Sequence, residues 1–514
     1  MGIKTFAAID VGSYEVSMKI FELSKKNGVH EIDYIRHRID LGTETYNTGH
    51  ISYERMDELC ELLNGYTQIM ETYRVDDYRA YGTSAVRETI NTKVVTDQIK
   101  LRTGLNISVL SNSEQRFLDY KSIALKSKYF SNIIDSGTAI IDIGGGSTQV
   151  SLFRDSKLAC TVNLPLGILK LRSKLNILQP GHLEYEEILS ELIDNEIHNF
   201  RKIYLSQMDI RNIIVVDDYL SQIALNAAKA RNTVYVTGAE FLELVEAIRK
   251  MPQEEAAKKF GIQRENAALL MPSALLVRNF IRVTAAEKLW IPGVSLADGI
   301  AYDYAERNKI IVSNHDFTSD IISCANNISA RYKGSQSVGE ELVAGALAIF
   351  DAMKKLHGLS KRERLLLELA ARLHDVGCYV SLSAPEESSY SIIMGTEIIG
   401  ISHLERLIIA TVVYNAYPKE VNYDDFNETE FNEKVFLTVT KLTAILRVAS
   451  GMARSPRKKY RSVKAQLREK ELVLTVESDS SLTLEKGFFL EQSLLFEEVF
   501  GIRPVLREKK GVRF

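Results

Sequence analysis

The stretch FAAIDVGSYEVSMKIFEL, residues 6–23, joins two largely apolar runs through a short polar segment. The first run ends at the carboxylate of Asp10, the glycine Gly12 and the hydroxyl of Ser13 follow, and an alternating run then leaves. Apolar runs interrupted by glycine and serine are typical of two strands joined by a tight turn. The stretch therefore predicts a strand–turn–strand unit with a carboxylate and a glycine at its tip.

Residues 138–153, TAIIDIGGGSTQVSLF, repeat this design. Asp142 stands where Asp10 stands in the first copy, and an alternating strand again follows. The turn of the second copy consists of Gly144, Gly145, Gly146 and Ser147. The recurrence predicts two similar α/β lobes, each opening with a hairpin. Two such lobes would bring their turns face to face across a cleft, where small molecules commonly bind.

Glycine next to a carboxylate indicates a phosphate site that contains a cation. Glycine leaves room for backbone N–H groups to approach phosphate oxygens, and it can take the positive φ of an anion-binding nest. A carboxylate is a poor neighbour for phosphate unless a divalent cation lies between them. We therefore interpret Asp10 and Asp142 as ligands of Mg²⁺ or of a water molecule beside two phosphate-binding turns. The alternative for each turn alone is a glycine hairpin with a capping aspartate.

Two further segments carry candidate site residues. RAYGTSAVRE, residues 79–88, predicts a strand, a hydroxyl-rich turn and a helix bearing Arg87, whose guanidinium suits phosphate. ISVLSNSEQRFLDY, residues 107–120, predicts a strand, a turn and a helix with Glu114 near its start. Glu114 would act as a general base if it faced the cleft, or would simply complement the helix dipole. A surface arginine on a capped helix is the corresponding alternative for Arg87.

The composition limits the classes of protein to consider. The chain has 514 residues, is 45% hydrophobic and 25% charged, and has a formal net charge of −3. This charge gives no global attraction for nucleic acid or for an anionic membrane, so we expect neither as a partner. Four widely spaced cysteines predict buried thiols in a reducing compartment. With no apolar run of 18 residues and no leader-like N-terminus, the sequence favours a cytoplasmic protein.

The pattern along the chain predicts four regions. Residues 1–125 and 126–305 form the two α/β lobes, residues 317–455 show apolar residues at helical spacing, and residues 456–514 combine strands with a helix. The segment RSPRKKYR, residues 454–461, is strongly basic, and LREKKGVRF at the end adds further positive charge. Such segments are either solvated loops or a track for a long polyanion.

Several of these stretches together resemble one family. AIDVGS, YGTSAVRE, the SEQR segment, IDIGGGST and LPLGILKL (164–171) occur in the order and spacing of the exopolyphosphatase and guanosine pentaphosphate phosphohydrolase (Ppx/GppA) family. SLADGIAYDYA (295–305) is similar to the segment that closes the family's second lobe, and LLELAARLHDVG (366–377) is similar to part of its HD-type domain. The resemblance implies two actin/Hsp70-like (RNase H-like) lobes, an all-α HD-like domain and a small α+β segment.

The resemblance also implies a chemistry. Asp10 and Asp142 would help to hold Mg²⁺, and Glu114 would activate the attacking water. Arg87 would clamp a phosphate oxygen. The residues implied to bind the terminal phosphates are Gly12, Ser13, Gly144, Gly145, Gly146 and Ser147. The substrate would be polyphosphate or guanosine pentaphosphate, and a homodimer is left open.

The sequence departs from the family pattern in both lobes. Tyr14 and Glu15 follow the first turn, and Gln149 stands where the family has a glutamate, so metal binding should weaken. Asp217, Asp218 and Tyr219 replace a Gly-Gly-Thr loop, and their acids should repel phosphate.

The HD-like region keeps only part of its metal-binding pattern. His374 and Asp375 remain, but Ser388, Asn415 and Ser450 stand at other positions where the family often has His or Asp. A histidine and an aspartate alone are too few ligands for a bound metal, so we expect a helical bundle without a metal site.

Three hypotheses follow from the sequence. The first is a Mg²⁺-dependent phosphohydrolase that trims terminal phosphate. The second is a weakened sensor that binds the same anions with little turnover, which Gln149, Tyr14 and the acidic replacement at 217–219 favour. The third, a sugar or acetate kinase, is disfavoured because the glycine loop on the adenosine side is missing.

Overall fold

The repeat in the sequence folds as two sheets with the same strand order. The computed structural model describes residues 2–127, 129–178, 185–205, 208–217, 220–229, 233–262, 264–313, 315–417, 432–453, 459–478 and 480–510. The chain divides into two compact units, residues 1–320 and 321–514. Both sheets of the repeat lie in the first unit.

The first sheet is built around the opening hairpin. Its strands lie in the order β3-β2-β1-β4-β5, with β1, β2 and β3 antiparallel and β4 and β5 parallel to β1. The central strand β1 is buried along most of its length because the apolar run there contains no charge before its end. The strands are β1 (Lys4–Val11), β2 (Glu15–Ser24), β3 (Gly28–Arg38), β4 (Asp77–Gly82) and β5 (Ile107–Val109).

The second sheet repeats the first and adds one strand. Its order is β8-β7-β6-β9-β11-β10, again with an antiparallel three-stranded meander next to parallel strands. The additional edge strand, β10, runs antiparallel to β11. The strands are β6 (Thr138–Ile143), β7 (Thr148–Arg154), β8 (Lys157–Leu164), β9 (Asn212–Val216), β10 (Tyr235–Thr237) and β11 (Lys288–Trp290).

Helices cover both sheets of the first unit. A π-helix spans Arg201–Leu205, and a 3-10 turn spans Arg264–Asn266. The α-helices are α1 (Leu41–Thr48), α2 (Tyr53–Thr72), α3 (Ser84–Glu88), α4 (Thr92–Thr103), α5 (Asn112–Lys126), α6 (Phe130–Asp135), α7 (Ile168–Leu178), α8 (Tyr185–Phe200), α9 (Leu220–Lys229), α10 (Gly238–Arg249), α11 (Gln253–Phe260), α12 (Ala267–Thr284) and α13 (Leu296–Arg307).

Helix α13 returns to the first sheet. It packs on β1, β2 and α5, and its apolar residues share a core with Phe6 and Phe21. The buried Lys19 of β2 donates a hydrogen bond to Asp298 of α13 at 2.8 Å. The predicted boundaries, 1–125 and 126–305, put this helix with the second lobe, whereas these contacts tie it to the first. Helix α13 returns to the first sheet because its apolar face covers the apolar face of that sheet, a tertiary contact that the sequence pattern does not show.

The second unit is helical, with a small sheet. Helix α14 (Phe317–Arg331) crosses the boundary between the units, and the sheet has the order β12-β13-β14. A 3-10 turn spans Val376–Tyr379. The other elements are α15 (Gln336–Ala352), α16 (Lys354–His357), α17 (Lys361–Arg372), α18 (Pro385–Gly395), α19 (His403–Asn415), α20 (Glu433–Met452), α21 (Thr483–Gln492), α22 (Leu494–Phe500), β12 (Tyr460–Arg468), β13 (Glu471–Ser478) and β14 (Arg503–Lys510).

The His–Asp pair of this unit makes structural contacts. The ring of His374 stacks on Tyr417 with 5.3 Å between ring centroids, and Asp375 accepts a hydrogen bond from the backbone N–H of Ser335 at 2.8 Å. Among the described residues, no group of three or more His, Cys, Asp or Glu side chains could hold a metal ion. The sequence-based expectation that this pair binds no metal stays a prediction.

The cysteines follow the sequence prediction with one exception. Cys60, Cys160 and Cys324 are buried as predicted, but Cys378 is exposed, so the prediction of a buried thiol was wrong at that position. Within the described part of the chain, two helices are long and apolar enough to cross a membrane, Ala267–Thr284 and Glu433–Met452. Most residues of both lie inside the protein, as they do in ordinary core helices.

The contact between α5 and α13 gives a test of the fold. A Cβ added at Gly299 would lie 2.2 Å from the carbonyl oxygen of Leu118, a backbone atom that cannot step aside. We expect Gly299→Ala to lower the free energy of unfolding by about 1–3 kcal/mol, measured by urea denaturation. The control is Gly65→Ala in α2, where an added Cβ meets nothing within 4 Å and should stabilise by roughly 0.5–1 kcal/mol. Equal stability of the two variants would contradict the close packing of α5 on α13.

Candidate active site

The two predicted turns have the same hydrogen-bonded geometry. The N–H of Gly12 donates to the carbonyl of Glu15 at 3.0 Å, and the N–H of Gly144 donates to the carbonyl of Ser147 at 2.9 Å. Each turn therefore closes a hairpin, and it begins two residues after the aspartate near the end of the first strand. When the two hairpins are aligned by their strand registers, Ser13 corresponds to Gly145, and Ser147 corresponds to Glu15. Ser13 and Ser147, the two serines of these turns, are thus not structural equivalents.

The glycines of these turns supply room and not an unusual backbone conformation. None of the four glycines in the turns has a positive φ, so that part of the sequence prediction was wrong. A Cβ added at Gly146 would lie 2.0 Å from the hydroxyl of Ser84, and one added at Gly145 would lie 3.0 Å from the Cβ of Ser13. Because the second turn belongs to one lobe and Ser13 and Ser84 to the other, the glycines allow the lobes to meet.

Tyr46 of α1 connects the segments around these turns. Its hydroxyl is hydrogen-bonded to the hydroxyls of Ser13 and Ser84, each at 2.8 Å. Ser13 also accepts a hydrogen bond from the backbone N–H of Ala85 at 3.2 Å. Burial raises the pKa of Tyr46 to about 12, so the phenol keeps its proton at neutral pH. Tyr46 thus fixes the first turn against the start of α3.

Contacts from α7 and Tyr14 hold the lobes together. Lys170 of α7 forms an ion pair with Glu88 at 2.6 Å, and Arg172 of α7 forms one with Asp40 at 3.2 Å. Tyr14 of the first turn is buried in the hydrophobic core of the second lobe. Tyr14 therefore packs between the lobes.

Both turns line one small cavity of about 120 Å³, room for several water molecules or a small anion. The predicted site residues in its wall are Asp10, Gly12, Ser13, Asp142, Gly144, Gly145, Gly146 and Ser147. The wall also contains carboxylates that the sequence did not assign to the site. Together the carboxylates of the wall are Asp10, Glu15, Asp119, Asp142 and Asp217, and no described lysine, arginine or histidine lines the cavity.

This wall fits a hard divalent cation. Carboxylate and hydroxyl oxygens are the ligands that Mg²⁺ prefers, and five carboxylates without a cationic side chain would repel an anion unless a cation bound first. No three acidic, histidine or cysteine side chains converge as a ready-made site within the described residues. A Mg²⁺ ion here would therefore be held by one or two carboxylates together with water and phosphate oxygens, as is usual for this ion.

Arg87 and Glu114 lie outside the wall of the cavity. Arg87 donates a hydrogen bond through Nη1 to the carbonyl of Leu110 at 2.7 Å. Glu114 accepts hydrogen bonds from the backbone N–H of Ser111 at 3.0 Å and from its hydroxyl at 2.7 Å. The carboxylate of Glu114 thus completes a capping box at the start of α5. Their assigned roles stay predictions, and the S-x-x-E spacing of Ser111 and Glu114 was a sequence signal for the cap.

Helix α5 reaches the cavity through residues that the sequence analysis missed. Gln115 and Asp119 line the wall, one helical turn apart. Next to Gln115, the buried Arg116 donates a hydrogen bond through Nε to the Oε1 of Gln149 at 3.1 Å. The i, i+4 spacing of residues 115 and 119 predicts that they share one face of the helix. The sequence alone did not show that this face is turned toward the cavity.

Two of the acidic residues that the sequence analysis expected to disturb a phosphate site, Glu15 and Asp217, make specific contacts in the structure. Glu15 lies 3.8 Å from the guanidinium of Arg36. Asp217 accepts a hydrogen bond from the backbone N–H of Leu220 and so caps the start of α9. Asp218 and Tyr219, and residues 454–458 of the basic segment, lie outside the described residues.

Comparison with known families gives two matches that together span most of the chain. Residues 21–308 match the sequence model of the Ppx/GppA phosphatase family, and residues 322–498 match the model of Ppx/GppA phosphatase domain III. The second match covers the helical region and part of the terminal sheet. The HD-type assignment of that region stays a prediction.

Curated relatives share low identity with the chain. A guanosine-5'-triphosphate,3'-diphosphate pyrophosphatase of Vibrio atlanticus is 21% identical over 413 residues, covering 78% of this chain and 78% of the relative. Exopolyphosphatase 1 of Mycobacterium leprae is 22% identical over 302 residues, covering 57% of this chain and 87% of the relative.

Solved structures confirm the predicted fold class of two actin-like α/β lobes. An exopolyphosphatase from Cytophaga hutchinsonii has a TM-score of 0.52 and 17% identity, covering 60% of this chain and all of the neighbour. A Ppx/GppA family member from Aquifex aeolicus has a TM-score of 0.50 and 20% identity, covering 61% of this chain and all of the neighbour. At these identities the likeness concerns the fold alone.

The hydroxyl of Tyr46 offers a direct test of the contacts around the turns. Tyr46→Phe removes two partly buried hydrogen bonds, and we expect the free energy of unfolding to fall by about 1–3 kcal/mol near neutral pH. In the unfolded chain the phenol ionises near pH 10, so the stability from Tyr46 is fully present below about pH 10. It should be lost as the pH rises toward the folded-state pKa of about 12, and the difference between wild type and Tyr46→Phe should shrink.

The measurement is urea denaturation at pH values from 8 to about 12. Tyr53→Phe is the control because Tyr53 is 73% exposed and should show neither effect. A Tyr46→Phe protein as stable as wild type would mean that the bridge between Ser13 and Ser84 contributes nothing.

Proposed function

Because the chain belongs to the Ppx/GppA phosphatase family, we propose that it is a phosphohydrolase that releases terminal phosphate from inorganic polyphosphate or guanosine pentaphosphate. The observation that carries the proposal is the single cavity lined by both turns, Gly12–Ser13 and Gly144–Ser147, with an aspartate beside each. Backbone N–H groups and hydroxyls at such turns suit phosphate oxygens. The relatives named for these two substrates support the choice of substrate class.

The proposed roles follow from the positions of the residues. Asp10 and Asp142 hold Mg²⁺, and the two turns hold the terminal phosphate. Bound Mg²⁺ would neutralise charge on the phosphate oxygens, which the acidic wall of the cavity cannot do. The ion pairs that α7 makes with the first lobe hold the lobes together around this small space, where electrostatic interactions are stronger than in bulk water.

Hydrolysis also needs a water molecule in line with the leaving group and an acceptor for its proton. The sequence assigns the acceptor role to Glu114 and a phosphate clamp to Arg87. Neither residue lines the wall: Arg87 donates a hydrogen bond to Leu110 and Glu114 accepts one from Ser111, so these roles stay predictions.

A sensor with little turnover is the second candidate function. The carboxamides Gln115 and Gln149 both line the cavity, where a carboxylate would bind a cation more strongly. Gln149 is also held by Arg116, which orients its amide. A protein of this kind would bind the anion and respond to it without releasing phosphate.

The choice between the two substrates depends on surfaces away from the cavity. Polyphosphate is long and benefits from a positively charged track, whereas a nucleotide needs less of it. Arg507 and Lys509 of the C-terminal basic segment lie on β14 in the second unit. We propose neither nucleic acid nor membrane as a partner and place the protein in the cytoplasm, and a homodimer stays a prediction.

A phosphate-release assay with Mg²⁺ on both substrates tests the proposal. We expect the wild-type protein to release phosphate from at least one of them. We expect Asp10→Asn and Asp142→Asn to lower kcat by at least about 100-fold, the equivalent of about 2.7 kcal/mol of charge stabilisation. Calorimetric titration with Mg²⁺ should show weakened binding in both variants. Asp97→Asn, an exposed change on α4, is the control.

The outcomes separate the two candidate functions. Release of phosphate by wild type supports the enzyme. Tight binding of polyphosphate without any release of phosphate favours the sensor. Wild-type rates of phosphate release in both aspartate variants would contradict the assignment of Asp10 and Asp142 as metal ligands.

A further inference from the structure

Two side chains of α5, Gln115 and Asp119, face the cavity one turn apart. We infer that they form the water-activating pair of the proposed phosphohydrolase, in which Gln115 orients the attacking water and Asp119 accepts its proton. The inference rests on the proposed function, since it assigns a step of that reaction.

Gln115 has an acceptor that suits a water molecule. Its Oε1 is buried and has no hydrogen-bond partner among the described residues, although Gln115 lines the cavity. A buried acceptor without a partner costs about 1–3 kcal/mol, so such atoms are usually satisfied by a ligand or an ordered water. An O–H group of the attacking water would satisfy this oxygen once the amide turns toward the cavity, and the water would then be held in a fixed orientation.

Asp119 places a carboxylate next to that water. The residue is only 4% exposed and lines the same cavity. Residues four apart on a helix have Cβ atoms about 5–6 Å apart on one face, which lets the ends of both side chains reach a single water molecule. A carboxylate held there can take the proton of the water as the water attacks phosphorus.

The helix that carries the pair is fixed on two sides. Lys121 of α5 forms an ion pair with Asp303 of α13 at 2.9 Å, and the backbone at Leu118 touches Gly299. On the other side, the hydrogen bond from Arg116 to Gln149 ties α5 to the strand that follows the second turn. The pair is therefore placed by rigid elements with respect to the proposed phosphate site, as water activation requires.

The other carboxylates near the site stand at different places in the fold. Glu114 caps α5, Asp217 caps α9, and Glu15 lies near Arg36. Asp10 and Asp142 stand beside the phosphate turns, where a cation is needed. Asp119 is the carboxylate of the wall that projects from α5, the same helix as Gln115.

In the proposed step, the oxygen of the water forms a bond to the terminal phosphorus while the bond from phosphorus to the bridging oxygen breaks. Asp119 takes one proton from the water, and the bridging oxygen leaves with the electron pair of the broken bond. The products are inorganic phosphate and a chain or nucleotide shorter by one phosphate. The proton on Asp119 passes to solvent or to a product when the site opens, so the step needs no further reactant.

Steady-state kinetics of Asp119→Asn tests the inference, with Mg²⁺ and whichever of polyphosphate and guanosine pentaphosphate the wild type hydrolyses. We expect kcat to fall by roughly 10²–10⁴ while KM changes little, because the lost interaction belongs to the transition state. Asp119→Glu keeps a carboxylate and should retain more activity than Asp119→Asn. Gln115→Ala should lower kcat by about 3- to 10-fold, the equivalent of one hydrogen bond.

Thermal unfolding and calorimetric binding of the same substrate show whether each variant is folded and still binds. Asp97→Asn on α4 is the matched control for the change of an aspartate to asparagine. A folded Asp119→Asn protein with wild-type kcat, or a 10²–10⁴ loss in Glu114→Gln without one in Asp119→Asn, overturns the inference but leaves the phosphohydrolase intact. A wild-type protein that releases phosphate from neither substrate overturns both.

Discussion

The contact between the two glycine turns is the constraint on which the site depends. Each turn follows a strand that carries an aspartate near its end, and the two turns line one cavity with their polar groups. Side chains at Gly145 or Gly146 would collide with Ser13 or Ser84 across the cleft. The absence of those side chains is what lets the lobes close around so small a space.

The closed lobes create an electrostatic problem that a cation would solve. Five carboxylates share a cavity of about 120 Å³, and the described wall carries no positive side chain. An anion would not enter such a space by itself, whereas a divalent cation would be attracted and would then bring phosphate with it. The net charge of the whole chain, −3, gives no hint of this local concentration. The charge at the site therefore depends on which side chains the fold places in the wall of the cavity.

Helix α5 shows how neighbouring residues can serve different purposes. Glu114 at its third position caps the helix, while Gln115, the next residue, lines the cavity. A helix turns by about 100° per residue, so adjacent side chains point in clearly different directions. The contact between α13 and Leu118 then fixes how α5 is rotated about its axis, and so which of its side chains reach the cavity. The chemistry available at the site therefore depends on how α5 packs against its neighbours.

The sequence by itself determined the two hairpins, the aspartate and glycine at each tip, and the repeat that makes two similar lobes. These features are local, because apolar alternation, turn residues and the spacing of the two copies can be read without knowing what packs against them. The tertiary structure alone decided that α13 returns to the first sheet, that Tyr14 packs into the second lobe, and that the cavity receives Gln115 and Asp119 in place of Glu114. Each of these depends on contacts between residues far apart in the chain, where complementary surfaces, and not local spacing, determine which side chains become neighbours.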